Sequence, residues 1–363
     1  MKAGHLAALA LLLAFSCLRP SEERAERDLE VGLAENAGLR VEVAEGLAVV
    51  RSFDSGSLVL WGSAPGFQIA LELGDAPREL SIEIQNCLPE AELRLLSAPG
   101  SRLEALGTTQ APTRKSWRLA APGGRVELAL AAPDATEPGA FRFALLSDVQ
   151  EALPKVADVF QRVNEEPDVR FLLGAGDLTE RGAREELELY QTELIGLKIP
   201  YFTTLGNHEL GASPSLYHEY FGRGSFQFRF RGVYFTLLDS ASATLDPTVY
   251  DWLDDWLERG RRSVHVVAMH IPPIDPIGVR NGSWGSRSEA AKLLGRLAEG
   301  HVDVTLYGHV HSYYSFDNAG IPAFISGGGG AIPERFDNIG RHFMLLEADP
   351  ARGITSTRVV RVD

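Results

Sequence analysis

Cysteine is almost missing: the 363 residues hold two, Cys17 and Cys87, so no disulfide framework can hold this fold together. Long apolar runs are missing too. The stretch Leu6 to Phe15 is too short to span a bilayer as a mature helix. Basic charge is in deficit, with 35 Lys and Arg against 49 Asp and Glu and a net charge of -14. That balance disfavours non-specific docking on nucleic acid or anionic lipid. It leaves a small phosphorylated substrate open, because a bound metal reverses the sign of charge locally. No internal repeat is visible, and the run Gly327–Gly330 lacks the Lys and Ser/Thr of a phosphate-binding P-loop. What remains is ordinary. Hydrophobic residues make up 45% and charged residues 23%, a soluble globular composition with room for two domains.

The first residues differ in texture from the rest. Lys2 followed by Leu6–Phe15 suits a secretory signal. The sequence Ala14-Phe15-Ser16-Cys17 resembles a bacterial lipobox, in which the cysteine is acylated; an ordinary signal peptide is the other reading. The expectation is therefore an exported protein, periplasmic or in the cell envelope, with a membrane tether through Cys17 under the lipobox reading. Residues 18–38, rich in Glu and Arg around Ser21–Glu30, read as a solvated tether.

Residues 39–132 carry short alternating or apolar runs separated by Gly, Pro, Ser and Asp clusters. They are Leu39–Val43, Leu47–Arg51, Leu58–Trp61, Phe67–Leu73, Leu80–Ile84, Glu92–Leu96 and Arg125–Leu130. The spacing predicts a small all-β sandwich with no chemistry of its own. Residues 133–139 read as a linker. From 140 to 363 the texture becomes alternating strand and helix, which predicts an α/β domain with strands buried on both faces. Predicted strands are Phe141–Ser147, Val169–Ala175, Tyr201–Leu205, Val233–Leu238, Val264–Met269, Val302–Tyr307 and Ala323–Ile325. Val156, Val159, Phe160 and Val163 mark one helix, residues 183–197 a second and Glu289–Ala298 a third.

Five polar clusters each follow one of these strands: Asp148-Val149-Gln150, Gly176-Asp177, Gly206-Asn207-His208-Glu209, His270, and Gly308-His309-Val310-His311. Loops at the carboxyl ends of strands are where open α/β sheets build their sites. Carboxylate, amide and imidazole are also the side chains that hold borderline and hard divalent metals. One cluster would be a turn or a core histidine; five in order point to a metal centre.

In order and spacing the set resembles the calcineurin-like metallophosphoesterase signature D-x-H, G-D, G-N-H-D/E, H, G-H-x-H over residues 141–345. The segment Gly308–Tyr313 is similar to purple acid phosphatases in particular. The resemblance implies two mixed sheets flanked by helices in four layers. It implies hydrolysis of a phosphomonoester or phosphodiester by a hydroxide bridging two metal ions. Mn, Fe or Zn, divalent or trivalent, are the ions it suggests. Carried over by position, Asp177 bridges; Asp148, residue 150 and His311 complete one metal; Asn207, His270 and His309 complete the other. His208 becomes the acid for the leaving group, with Glu209 either orienting it or serving only as a turn residue.

One position departs from the signature, since Gln150 stands where the pattern has His. An amide oxygen is a harder and weaker ligand, which points to loose binding, to Mn²⁺ or Mg²⁺, or to compensation. Glu180 is a candidate compensator, against the alternative that Thr179 and Glu180 open the next helix. A non-catalytic metal-binding surface or scaffold protein is the competing function. Arg280, Arg287 and Arg335 are candidates to meet a phosphate, and Ile271–Arg287 a candidate cleft wall. His218, His265, His301 and His342 read as surface or core residues, Trp252 and Trp256 as core.

Overall fold

A computed structural model describes residues 20–107, 111–211, 213, 215–278, 282–334 and 338–363. The residues read as a signal peptide and lipobox, with Arg280 and Arg335, lie outside the described residues.

The strand-rich N-terminal region forms two five-stranded sheets. Alternation explains the pattern: in Leu39–Val43 the Leu, central Val and final Val are buried while Arg40 and Glu42 face out. Three strands were missed by sequence reading, Leu33–Asn36, Arg102–Leu106 and Arg114–Ala121. Their exposed charged residues dilute the apolar signal. Asn86 ties this region to the α/β part. Its amide donates to Gly62 O and Tyr201 O at 2.7 Å each and accepts from Tyr201 N at 2.8 Å.

The α/β part holds two mixed sheets with helices. In the first, Tyr201–Thr204, Val169–Ala175 and Phe141–Leu146 run parallel, and the antiparallel strands His342–Asp349 and Gly353–Arg361 complete it. In the second, Val233–Leu238, His265–Met269, Val304–Tyr307 and Ile321–Ser326 run parallel between antiparallel edges Phe226–Phe230 and Tyr313–Asn318. Parallel strands covered on both faces need continuous apolar runs, which is why the sequence shows them without alternation. The sheets meet through phenylalanine: Phe143 and Phe171 from one stand edge-on to Phe235 of the other, with ring centres 5.2 and 5.3 Å apart.

Helix ends follow local chemistry. Asp246 accepts from Thr248 N ahead of Pro247–Gly260, and Ser286 accepts from Glu289 N ahead of Arg287–Glu299. The helix after Asp177 begins only at Arg184, so Thr179 and Glu180 lie in the preceding loop and do not open it. Ile271–Ile277 carries no helix or strand, and Trp284 donates its indole N–H to Ile271 O. Of the histidines set aside, His218, His265 and His342 are buried, and burial pushes His265 down to about 4. Trp256 is buried and Trp252 half-buried.

The expected tether is a correction. Pro20–Glu30 is a helix docked on the α/β part. Arg24 is 1% exposed and donates to both carboxylate oxygens of Asp239, at 2.5 and 3.2 Å. Asp28, also buried, accepts from Gly224 N and Ser225 N and faces His218 Nε2 at 3.0 Å. Composition alone makes this stretch look solvated; two of its charges are instead matched inside. Arg24→Ala strands a buried carboxylate, and about 3–5 kcal/mol of stability should be lost. Urea denaturation checks this: an unchanged midpoint would mean the helix contributes nothing to the fold.

Candidate metal centre

Every cluster picked out in the sequence sits on a turn directly after a strand, and the turns converge on one end of the two sheets. The strands Phe141–Leu146 and Val169–Ala175 deliver Asp148 and Asp177; Tyr201–Thr204 delivers Asn207 and His208; His265–Met269 delivers His270; Val304–Tyr307 delivers His309 and His311. The chain turns sharply there. Asp148, Gln150, Asp177 and His309 adopt φ of 63°, 47°, 53° and 70°, a region that side-chain-bearing residues rarely enter. Such strain costs about 1–3 kcal/mol per residue and persists where surrounding bonds hold it. Those bonds are present: Asp148 N and Val149 N donate to Gly176 O and Asp177 O, and His309 N donates to the Asp148 carboxylate at 2.9 Å. Glycine permits the approach at two points. A Cβ on Gly206 would stand 2.1 Å from Asp177 Oδ1, and one on Gly308 would stand 2.0 Å from Ser147 Oγ.

Ligand-type atoms of Asp177, His270 and His309 all lie within 4.8 Å of one another. Asn207 Oδ1 is 3.1 Å and Asp177 Oδ2 3.2 Å from His270 Nε2. On the other side His311 Nε2 lies 3.4 Å from Asp148 Oδ1 and 3.3 Å from Gln150 Nε2. The residues proposed as one cage therefore come together, including Asp148, Gln150, Asp177, Asn207, His270, His309 and His311. The Gln150 amide is oriented with its nitrogen donating to Asp177 Oδ2 at 2.7 Å. Three imidazoles send Nδ1–H to a backbone carbonyl: His270 to Ala175 at 2.7 Å, His311 to Ile332 at 2.7 Å, and His208 to Glu180 at 2.6 Å. Each is thereby fixed in ring orientation with Nε2 left for the site.

Electrostatics follow from two carboxylates held out of water. Burial pushes Asp148 upward, and His311 with the His270 charge more than reverses it, so the carboxyl is held below the usual range. Asp177 is likewise raised by burial and pulled lower on balance by His270. In return burial lowers His270, and the Asp177 and Asp148 charges overcome this and lift it to about 9. His309 is pushed down to about 4 by burial and by the neighbouring His270 charge.

Of the two readings of Glu209, the turn role is present, since it accepts from Gly206 N, and it extends to a second loop. Its carboxylate accepts from the backbone N–H of Asp177, Thr179 and Gly206 and from the Thr179 hydroxyl, all within 2.8–2.9 Å, and no bond joins it to His208. It pins the Asp177 loop to the Asn207 loop, while the backbone of Glu180 orients His208. Burial and the Asp177 charge push Glu209 up to about 7 against those donors. A cavity of about 500 Å³ opens over Gln150, Asp177, Asn207, His208, His309 and His311, and Glu151 and Ile332, which also line it, escaped sequence reading. Glu151 accepts from Ile332 N across 181 positions of chain, a pairing no local pattern carries. Glu209→Gln turns an acceptor into a donor facing N–H groups. About 1–3 kcal/mol of stability should go with it, together with metal retention; thermal melting and elemental analysis that both match the parent would show the pin to be dispensable.

Residues 141–313 match the calcineurin-like phosphoesterase family. The chain is 28% identical over 171 residues to a 3',5'-cyclic-nucleotide phosphodiesterase of Nostoc, covering 43% of this chain and 61% of that protein. It is 27% identical over 235 residues to purple acid phosphatase 22 of Arabidopsis thaliana, covering 58% of this chain and 52% of that protein. The chain thus spans between half and two thirds of the length of these curated relatives. Among solved structures, a dimetal phosphatase from Danio rerio superposes with a TM-score of 0.46 at 14% identity, over 62% of this chain and all of that one.

Proposed function

We propose that this chain, whose residues 141–313 match the calcineurin-like phosphoesterase family, hydrolyses a phosphomonoester or phosphodiester at a pair of metal ions. The observation that carries the reading is the gathering of Asp177, His270 and His309 within 4.8 Å beside a second buried carboxylate, Asp148. The donor set fits cations: acceptor-only carboxylates, an amide oxygen, and imidazoles whose free nitrogen faces inward. Asp177 has two oxygens and would bridge. Asp148, His311 and the amide oxygen of Gln150, once turned inward, would hold one ion; Asn207, His270 and His309 would hold the other. When bound, such a pair activates water and neutralises phosphoryl oxygens.

The chain's own residues supply the rest. His208 keeps Nδ1 on the Glu180 carbonyl and has Nε2 free, 3.9 Å from Asp177 Oδ2, so Nε2 is the atom to pass a proton to the departing oxygen. Its backbone N–H donates to Asp177 Oδ1 at 2.9 Å and keeps that carboxylate turned into the site. Glu209 holds the two loops at fixed spacing.

Elemental analysis with a panel of generic mono- and diesters tests the reading: two ions per chain with turnover support it, and no ion with no turnover supports a scaffold instead. His208→Ala should slow turnover about 10²–10⁴-fold with metal content kept, whereas Asn207→Ala should lose metal. Identical behaviour of the two variants would remove the distinction between acid and ligand.

Metal uptake should also move protons. His270 sits near 9 without a cation, so at pH 7 its Nε2 holds a proton that a metal must displace. Apparent affinity should climb about tenfold per pH unit toward pH 9 and then level off. His309, at about 4, adds nothing above neutrality. In metal-free protein the same raised value stabilises the fold below the ordinary histidine range, and that stabilisation fades as pH rises through 9. Titration of metal into weakly buffered protein at pH 7 should release about one proton from this site; a silent pH trace would place His270 outside the cage.

A further inference from the structure

Two carboxamides reach into the clustered side chains, and they do so with opposite ends. Asn207 turns its oxygen in, with Oδ1 3.1 Å from His270 Nε2. Gln150 turns its nitrogen in. Its Nε2 donates to Asp177 Oδ2 at 2.7 Å and stands 3.3 Å from His311 Nε2. Because His311 Nδ1 donates to Ile332 O, the neutral ring offers a lone pair at Nε2, which takes the second amide hydrogen. One NH₂ group thus engages two of the atoms that an ion on the Asp148 side would hold. The reverse orientation would press the amide oxygen against a carboxylate oxygen. The backbone here is fixed: Gln150 is 5% exposed, and Gln150 N and Val149 N both donate to Asp177 O, at 3.3 and 2.8 Å. The amide itself can move, since a half-turn about its last side-chain bond exchanges nitrogen for an oxygen of similar size.

We propose that the two ions enter unequally: Asp177, Asn207, His270 and His309 take the first, and the Gln150 amide is a latch that must turn before the second can meet Asp148 and His311. The inference rests on the phosphoesterase reading and deepens it. The first ion meets an amide oxygen that already faces inward. Asp177 Oδ2 has more than one lone pair, so it keeps the Gln150 bond while an ion takes its other side. The second ion meets N–H groups, whose positive hydrogens repel it. Turning the oxygen inward breaks one hydrogen bond to a carboxylate and one to an imidazole, and that cost falls on the second ion alone. A histidine at position 150 carries at most one hydrogen on each ring nitrogen, so no single atom of it could tie Asp177 to His311. Turnover needs the pair and therefore follows the second step; the chain with one ion is a resting form.

The test strips the full chain of metal and titrates it with Zn²⁺ alone at fixed pH. Calorimetry, with elemental analysis after dialysis, should give two steps of one ion each. The second should be at least about tenfold weaker, the scale of one hydrogen bond to a charged group. In protein with isotope-labelled histidine, the first equivalent should shift the ring nitrogen signals of His270 and His309, and the second that of His311. Hydrolysis of bis(p-nitrophenyl) phosphate or p-nitrophenyl phosphate should appear with the second equivalent. Gln150→His and Gln150→Glu, which have no atom with two hydrogens to donate, should bring the steps together by strengthening the second. Equal affinity for both ions in the wild type, a His311 shift within the first equivalent, or a gap unchanged in both variants would overturn the proposal. Equal steps with turnover sink this inference alone. Two unequal steps without turnover of either ester keep the latch and sink the phosphoesterase reading, and no uptake of metal sinks both.

Discussion

Asp148 and Asp177 are two carboxylates shut away from water beside the same imidazoles, and the rest of the structure is arranged around that burden. Each is raised by burial and brought back down by histidine, and His270 is lifted to about 9 in exchange. One protonated imidazole offsets one of the two carboxylate charges, whereas a divalent cation would offset both. That imbalance, more than any one distance, supports the metal centre proposed at the end of these strands. The strained backbone lies at the same end, where four side-chain-bearing residues enter the left-handed region.

Holding such a site against repulsion and strain falls to groups outside the clustered side chains. Glu209 draws three backbone N–H groups and a hydroxyl onto one carboxylate and so fixes the spacing of two loops. Behind them, Thr204 Oγ1 donates to Gly224 O at 2.7 Å, and Gly224 N donates to Asp28 of the N-terminal helix. The helix Pro20–Glu30 is thus joined to the strand that carries Asn207 through one intervening residue. The β-rich region reaches the same strand through Asn86 and Tyr201. Two segments outside the α/β part thus brace the strand that leads to Asn207.

Sequence reading was most reliable where a pattern is local. The continuous apolar run Phe141–Leu146 and the helical spacing of Val156, Val159, Phe160 and Val163 both reappear in the structure, because burial on two faces or one stripe leaves its period in the chain. The ligand clusters were legible for a related reason, since each is a short polar break after such a run. Readings failed where the deciding partner is distant. Arg24 looks solvated until Asp239, 215 positions away, is brought beside it. Glu209 reads as an aid to His208 or as a turn residue alone until the Asp177 loop arrives. Glu180 looks like the start of a helix that in fact begins at Arg184.

The sequence by itself determined the α/β order, the strand ends that bear polar clusters, the residue types able to bind metal, and the odd amide at position 150. Tertiary structure alone decided that these clusters share one centre, that the Gln150 nitrogen faces Asp177, and that Glu209 is a pin. The division has a physical cause. Burial and periodicity are imprinted residue by residue along the chain, whereas the direction of a side chain and the charge it meets depend on packing between segments far apart in sequence.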